Sequence, residues 1–187
     1  MSDSAMLRTF VAVSAPCPAP LARLIKELGQ LGRALKCASP RGLHCTLRFL
    51  GDTPAESVDG LGRAIAEAVE DFPRFPASMI GTGAFPNVDR PNVVWAGLEA
   101  AELVALYERI DEAVSKFGYA SERRPFRPHV TLARVKRRPP PELRGLIQQH
   151  SETSWGEVPV DAVELFKSML TPAGSLYEVL ARCPLKR

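Results

Sequence analysis

The 187-residue sequence is short of most things that would give it an easy label. Its four cysteines (Cys17, Cys37, Cys45 and Cys183) form no CxxC pair and no metal-ligand spacing. Neither a disulfide framework nor a zinc site is therefore expected. No apolar run approaches the 18 or so residues of a membrane span, and no basic segment followed by an apolar stretch opens the chain. The expectation is a reduced, cytoplasmic protein away from membranes. Charge of either sign is not in excess: 24 Lys and Arg against 21 Asp and Glu leave a net +3. Such a balance tolerates an anionic partner without demanding one. Histidine is scarcest among the groups that do chemistry, at three residues, and no carboxylate cluster or third histidine stands near the other two to hold a metal. Neither a metal nor any other cofactor is expected.

What is present suits a chain that folds unaided. At 45% hydrophobic residues and this length, roughly 70% of the unfolded surface can be buried. Seventeen prolines fall mostly between periodic segments and read as punctuation. Residues 7–14, 43–50, 75–82, 93–97, 129–135, 160–166 and 175–182 are β-rich or alternating and predict strands. Residues 21–31, 54–72, 103–117 and 141–149 carry apolar side chains at three- and four-residue spacing and predict helices. Phe10 precedes His44 by 34 positions, and Trp95 precedes His129 by 34. Each half thus reads strand, helix, strand, helix, strand, as a duplicated unit would.

Two of the three histidines open matching strings, His44-Cys45-Thr46-Leu47 and His129-Val130-Thr131-Leu132, although threonine fills only seven positions. Residues i and i+2 of a strand share a face, so each imidazole stands beside a hydroxyl. Two such strands facing across a cleft would surround one small anion with two imidazoles and two hydroxyls. A phosphate fits: the hydroxyls donate to non-bridging oxygens and the imidazoles serve the reacting ones. Histidine titrates near pH 6.5, so one ring can accept a proton from water while the other gives one to the leaving oxygen. Cys45 adjoins His44 but points the opposite way and reads as core. Trp95 and Trp155 also read as core, and His150, near a helix end, as exposed.

Several stretches carry a family likeness. Arg8-Thr9-Phe10-Val11-Ala12, Leu43-His44-Cys45-Thr46-Leu47-Arg48-Phe49-Leu50-Gly51, Phe85-Pro86-Asn87 through Trp95-Ala96-Gly97, Phe126-Arg127-Pro128-His129-Val130-Thr131-Leu132-Ala133-Arg134 and the tail Tyr177-Glu178-Val179-Leu180 occur in that order. Over nearly the whole chain the sequence resembles the 2H phosphoesterases, and within them the bacterial RNA 2′,3′-cyclic phosphodiesterases, also called 2′-5′ RNA ligases or LigT-like proteins. The resemblance implies an α+β fold over 1–187 as a single two-lobed domain. Its two pseudo-symmetric lobes would each be an antiparallel sheet with helices packed outside, the active-site cleft lying between them and both termini in one lobe. It implies His44 as proton donor to the leaving 3′ oxygen, His129 as proton acceptor, and Thr46 and Thr131 as further catalytic groups. The residues themselves are too nearly symmetric to say which histidine is the acid.

The resemblance also implies that Arg134 and Phe49, each five positions beyond a histidine, contact substrate. Strict alternation would turn both away from the histidine face, where Phe49 reads equally as core packing; a bulge or a strand end past Leu132 would restore the direction. Arg123, Arg124, Arg127, Lys136, Arg137 and Arg138 flank the second motif and form a candidate RNA-guiding cluster, each singly readable as a solvated side chain, as is Arg48. Gly42 stands where the family often has Asn, which predicts one lost local hydrogen bond. The expected partner is RNA with a 2′,3′-cyclic phosphate end, or a small cyclic nucleotide, bound by a monomer. Reversible 2′-5′ RNA ligation and a non-catalytic nucleotide- or RNA-binding module are the alternatives.

Overall fold

The computed structural model describes residues 5–122, 124–171 and 174–187. Among them the chain forms nine strands and four α-helices: β1 Met6–Ser14, α1 Ala19–Gln30, β2 Leu35–Cys37, β3 His44–Pro54, α2 Val58–Val69, β4 Phe75–Phe85, β5 Val93–Glu99, α3 Glu102–Ser115, β6 His129–Val135, α4 Glu142–Gln149, β7 Ser154–Val160, β8 Ala162–Thr171 and β9 Gly174–Pro184. The α+β class and the antiparallel pairing agree with the expectation. Two strands were not foreseen. β2 has three residues, too few for any period to show, and β7 is interrupted by Gly156 and Pro159.

The strands hydrogen-bond in the order β7-β4-β5-β6-β3-β1-β8-β9, with β2 added to β6. Half of this curled sheet is β3, β1, β8 and β9, so both chain ends contribute to it; the other half is β6, β5, β4 and β7. The halves meet where β3 pairs with β6 at Cys45↔Val130. Beyond that point the strands part, and β2 takes the free edge of β6 through Leu35↔Val135, Lys36↔Arg134 and Cys37↔Ala133. The repeat is therefore interlaced: β4, from the first half of the sequence, completes the second half of the sheet, and β8 does the converse.

One face of the sheet holds the core. Leu21, Leu24, Ile25 and Leu28 of α1 recur on one helical side and are buried, as are Leu61, Ile65 and Val69 of α2, Leu103, Leu106, Ile110 and Val114 of α3, and Leu143 and Ile147 of α4. These side chains join Val11, Val13, Cys45, Leu47, Val130 and Leu132 in one cluster. Phe10, Ala12 and Phe166 form a separate small cluster on the opposite, open face. Trp155 is buried as expected and donates from its indole to Gly81 O at 3.0 Å. His150 departs from its exposed reading: it is half-buried against Trp155, its Nδ1 3.1 Å from Thr153 Oγ1.

Arg48 is a second correction, because it is only 2% exposed and neither solvated nor free for RNA. Its Nε lies 2.6 Å from Asp111 Oδ1, off the N–H axis, and its Nη2 donates to Ala120 O at 2.8 Å. Tyr119 O and Glu122 complete the shell at 3.4 Å. Arg48 thus ties β3 to the connection that leads from α3 to His129. Removing one partner of a buried pair strands the other's charge. Asp111→Ala is expected to lower unfolding free energy by about 3 kcal/mol in urea denaturation. The double variant Arg48→Met/Asp111→Leu should lose less than that, and a loss equal to the sum of the single effects would contradict the pairing.

Candidate active site

The Cys45↔Val130 pair fixes the site. With those two residues buried against the core, the residues on either side face the open side of the sheet. Antiparallel register then sets His44 opposite Thr131 and Thr46 opposite His129, so two imidazoles and two hydroxyls alternate at one crossing. All four side chains are half-buried. Cys45, pointing inward, has its thiol pushed up to about 12 by burial, which keeps it a protonated core residue.

Both rings are tethered alike. His44 Nδ1 donates to Gly42 O at 2.8 Å, and His129 Nδ1 donates to Arg127 O at 2.7 Å. A carbonyl only accepts, so the proton sits on Nδ1 and Nε2 is left with its lone pair toward the open face.

Aromatic rings surround each imidazole. His44 lies 4.9 Å from Phe10 and 4.9 Å from Tyr177, which meets it edge-on, with Phe166 at 6.0 Å. His129 meets Phe85 edge-on at 4.9 Å, with Trp95 at 6.5 Å. Trp95 is therefore not a core residue as expected; it is half-buried on the open face, opposite Thr131. Gly83 makes room for it, since a Cβ there would come within 2.3 Å of the indole. Burial holds both histidines below the ordinary imidazole value, their carbonyl partners pull the other way, and Arg134 adds to the lowering of both. A charge on His129 also disfavours one on His44.

Arg134 and Phe49 reach the open face through two equivalent bulges. Trp95 pairs with Thr131 and Val94 with Ala133, which makes Leu132 the extra residue of β6. Ala12 pairs with Thr46 and Val11 with Arg48, which makes Leu47 the extra residue of β3. Leu132 and Ala133 are buried in succession, as are Leu47 and Arg48, and the next residue of each strand turns outward. Of the two expected ways of restoring the direction, a bulge or a strand end, the strand uses a bulge, with Leu132 itself the extra residue. Phe49 is 56% exposed and lies 6.1 Å from Phe10, so it is not core. Arg124, Arg127, Lys136, Arg137 and Arg138 are exposed, while Arg123 lies outside the described residues. Sequence reasoning missed Tyr177, Phe85 and Phe166 as neighbours of the imidazoles. The matched spacing of Phe10 and Trp95 was the one available signal for such rings.

With two tethered imidazoles, paired hydroxyls and a nearby guanidinium on one open face, the arrangement can bind an oxyanion and move protons on both sides of it. Comparisons place this architecture among known proteins. The chain belongs to the 2′-5′ RNA ligase superfamily, whose profile matches residues 17–169. It is 35% identical to an RNA 2′,3′-cyclic phosphodiesterase of Archaeoglobus fulgidus over 93% of this chain and 98% of that one. A Thermotoga maritima protein of the same name is 32% identical over 95% of each chain. Among solved structures, the Thermus thermophilus protein TT0787 superposes with a TM-score of 0.79 at 31% identity, over 96% of this chain and 98% of that one. E. coli LigT complexed with 3′-AMP shares the fold, with a TM-score of 0.72 at 23% identity over 98% and 100%.

The lowered values have a thermodynamic consequence. Below the unfolded value of about 6.5 the unfolded chain binds protons on these rings that the folded chain does not. Their contribution to stability is therefore present above pH 6.5 and lost as pH falls through the folded values. Urea denaturation should show wild type losing more stability between pH 7.5 and 5 than a His44→Gln/His129→Gln variant. Equal losses would contradict the assigned burial of the rings.

Proposed function

We propose that the chain hydrolyses the 2′,3′-cyclic phosphate at an RNA end to a 2′-phosphomonoester by general acid–base catalysis at His44 and His129. The observation that carries this reading is the alternation of His44, Thr131, Thr46 and His129 about the Cys45↔Val130 pair, with both Nδ1 atoms tethered. The names of the relatives support the substrate.

In this mechanism His129 Nε2 accepts a proton from water as its oxygen bonds to phosphorus. The bond from phosphorus to the 3′ oxygen breaks on the far side, and His44 Nε2–H delivers a proton to that oxygen. The phosphate stays on the 2′ oxygen, and the two imidazoles have exchanged protonation states. Thr46 and Thr131 donate to the non-bridging oxygens. Arg134 places positive charge beside the dianionic transition state, and Phe49 offers an exposed ring on which the terminal base stacks. The assignment of donor to His44 follows the family resemblance. No step in this scheme uses a metal. The continuous sheet supports reading residues 1–187 as one two-lobed domain, which we take to act as a cytoplasmic monomer. No helix among the described residues is long and apolar enough to cross a membrane.

Because the same in-line chemistry runs backwards, joining of a 2′,3′-cyclic phosphate end to a 5′-hydroxyl is the second reading, and the family name favours keeping it. Supplying both ends together separates the two by the appearance of joined product.

The test is incubation with an oligoribonucleotide ending in a 2′,3′-cyclic phosphate, with chelator present. A 2′-phosphate product is expected, and His44→Ala and His129→Ala should each lose at least about 100-fold in kcat. Full activity in either variant would overturn the two-imidazole mechanism, and a 3′-phosphate product would exchange the roles of 2′ and 3′ oxygens. Since one ring must be charged and the other neutral, and both are held below 6.5, kcat/KM should peak on the acid side of pH 6.5. A plateau extending to pH 8 would count against this pair as the acid and base.

A further inference from the structure

The two imidazoles keep different aromatic company. Around His44, Phe10 and Phe166 are only 3% and 7% exposed, while Tyr177 and nearby Phe49 stand open. Around His129 stand Phe85 and Trp95, both half-buried, their rings 5.3 Å apart. Trp95 pairs with Thr131 on one side and with Gly83 on the other. Its indole leans across Gly83, where a Cβ would come within 2.3 Å of Cζ2 and 2.4 Å of Cη2. A Cβ at Gly97 would lie 3.7 Å from Cζ3 of the same ring. Two bare glycines thus let the indole lie low beside the site.

A tryptophan set in a core finds an acceptor for its N–H, as Trp155 does with Gly81 O at 3.0 Å. Trp95 Nε1 is buried and has no acceptor among the described residues. An unpaired buried donor lowers stability, so the stability of the fold does not account for this ring. Shielding of His129 does not require it either, because Phe85 already meets that imidazole edge-on at 4.9 Å, against 6.5 Å for Trp95. Nor does hydrolysis. In the proposed mechanism His129 acts on the incoming oxygen, and a water molecule needs no aromatic wall. The terminal nucleoside stays on the His44 side, where Phe49 is open to its base. In ligation, however, the incoming oxygen is the 5′-hydroxyl of a second nucleoside, whose base enters on the His129 side.

We infer that Trp95, with Phe85, seats the base of a nucleoside whose 5′-hydroxyl attacks the cyclic phosphate, so that the site selects acceptor alcohols that carry a base. This rests on the two-histidine scheme and on the ligation reading of it. His129 Nε2 takes the 5′-hydroxyl proton as that oxygen bonds to phosphorus. The bond from phosphorus to the 3′ oxygen breaks, and His44 Nε2–H protonates that oxygen. The product is a 2′-5′ phosphodiester with a free 3′-hydroxyl. Stacking on the indole tolerates any base, because every base has a π-face.

The experiment offers an oligoribonucleotide ending in a 2′,3′-cyclic phosphate either adenosine or methyl ribofuranoside, which has the 5′-hydroxyl but no base, at equal concentration. Joined products are compared for wild type, Trp95→Leu and Phe10→Leu. Wild type should prefer adenosine, and Trp95→Leu should lower that preference about tenfold. Lost shielding of His129 would slow both acceptors alike and leave the preference unchanged. Phe10→Leu, on the His44 side, should keep the preference whatever its turnover. A preference retained in Trp95→Leu, or lost equally in Phe10→Leu, would overturn the seat. Wild type that hydrolyses the cyclic end but joins neither acceptor would overturn it too, with the hydrolytic reading intact. If wild type does not turn over the cyclic phosphate at all, the proposed activity fails, and the seat is then read by tryptophan fluorescence. Adenosine should quench wild type and leave Trp95→Phe unquenched, since Trp155 is buried. Equal quenching in both, or none, overturns the seat, and the same comparison decides the matter if Trp95→Leu does not fold.

Discussion

The contact on which the rest depends is the short antiparallel meeting of β3 and β6 at Cys45↔Val130. These two residues are apolar and fully buried, so the core fixes the crossing from below. The period-two geometry of a strand then decides what stands above it. A slip of one residue in either strand would turn its histidine and threonine into the core and its buried partner outward. Because the strands separate immediately afterwards, with β2 taking over the edge of β6, the face opens instead of closing over the four side chains.

Two opposing effects set the electrostatics of that face. Aromatic neighbours remove water from the imidazoles and favour their neutral forms, while the carbonyls of Gly42 and Arg127 favour the charged forms. Burial wins for both rings, which suits an acceptor. It makes the donor depend on the negative charge of a bound substrate to hold its proton. Arg134 pushes in the same direction as burial, so its net benefit has to come from attraction to substrate. Arg48 shows the other use of a guanidinium in this fold. It comes one position before the equivalent of Arg134 and is turned inward, where Asp111 balances its charge and two backbone carbonyls accept from its Nη2.

Legibility in the sequence followed local geometry. The motifs His44-Cys45-Thr46 and His129-Val130-Thr131 could be read because strand alternation is a nearest-neighbour rule. The helices could be read because their apolar stripes are long. The matched spacing of Phe10 and Trp95 exposed the repeat, although it concealed the exchange of β4 and β8 between the two halves of the sheet, which no local pattern encodes. The bulges at Leu47 and Leu132, which bring Phe49 and Arg134 to the open face, could not be seen in the sequence, since an extra residue is defined only against its partner strand. Arg48 was misjudged for that reason: alternation alone does not show that a bulge turns it into the core. Trp95 was misjudged because its burial depends on Gly83 of the neighbouring strand. Tyr177 came to the site through strand pairings distant in sequence.

The account stands on both imidazoles serving one phosphorus centre. A crystal structure with a nucleoside–vanadate complex, which mimics the five-coordinate transition state, would test this most directly. The account predicts that His44 Nε2 and His129 Nε2 lie about 3 Å from oxygens on opposite sides of the vanadium, with the Thr46 and Thr131 hydroxyls on the oxygens between them. Vanadate held by one imidazole alone, or bound away from the β3–β6 crossing, would contradict it.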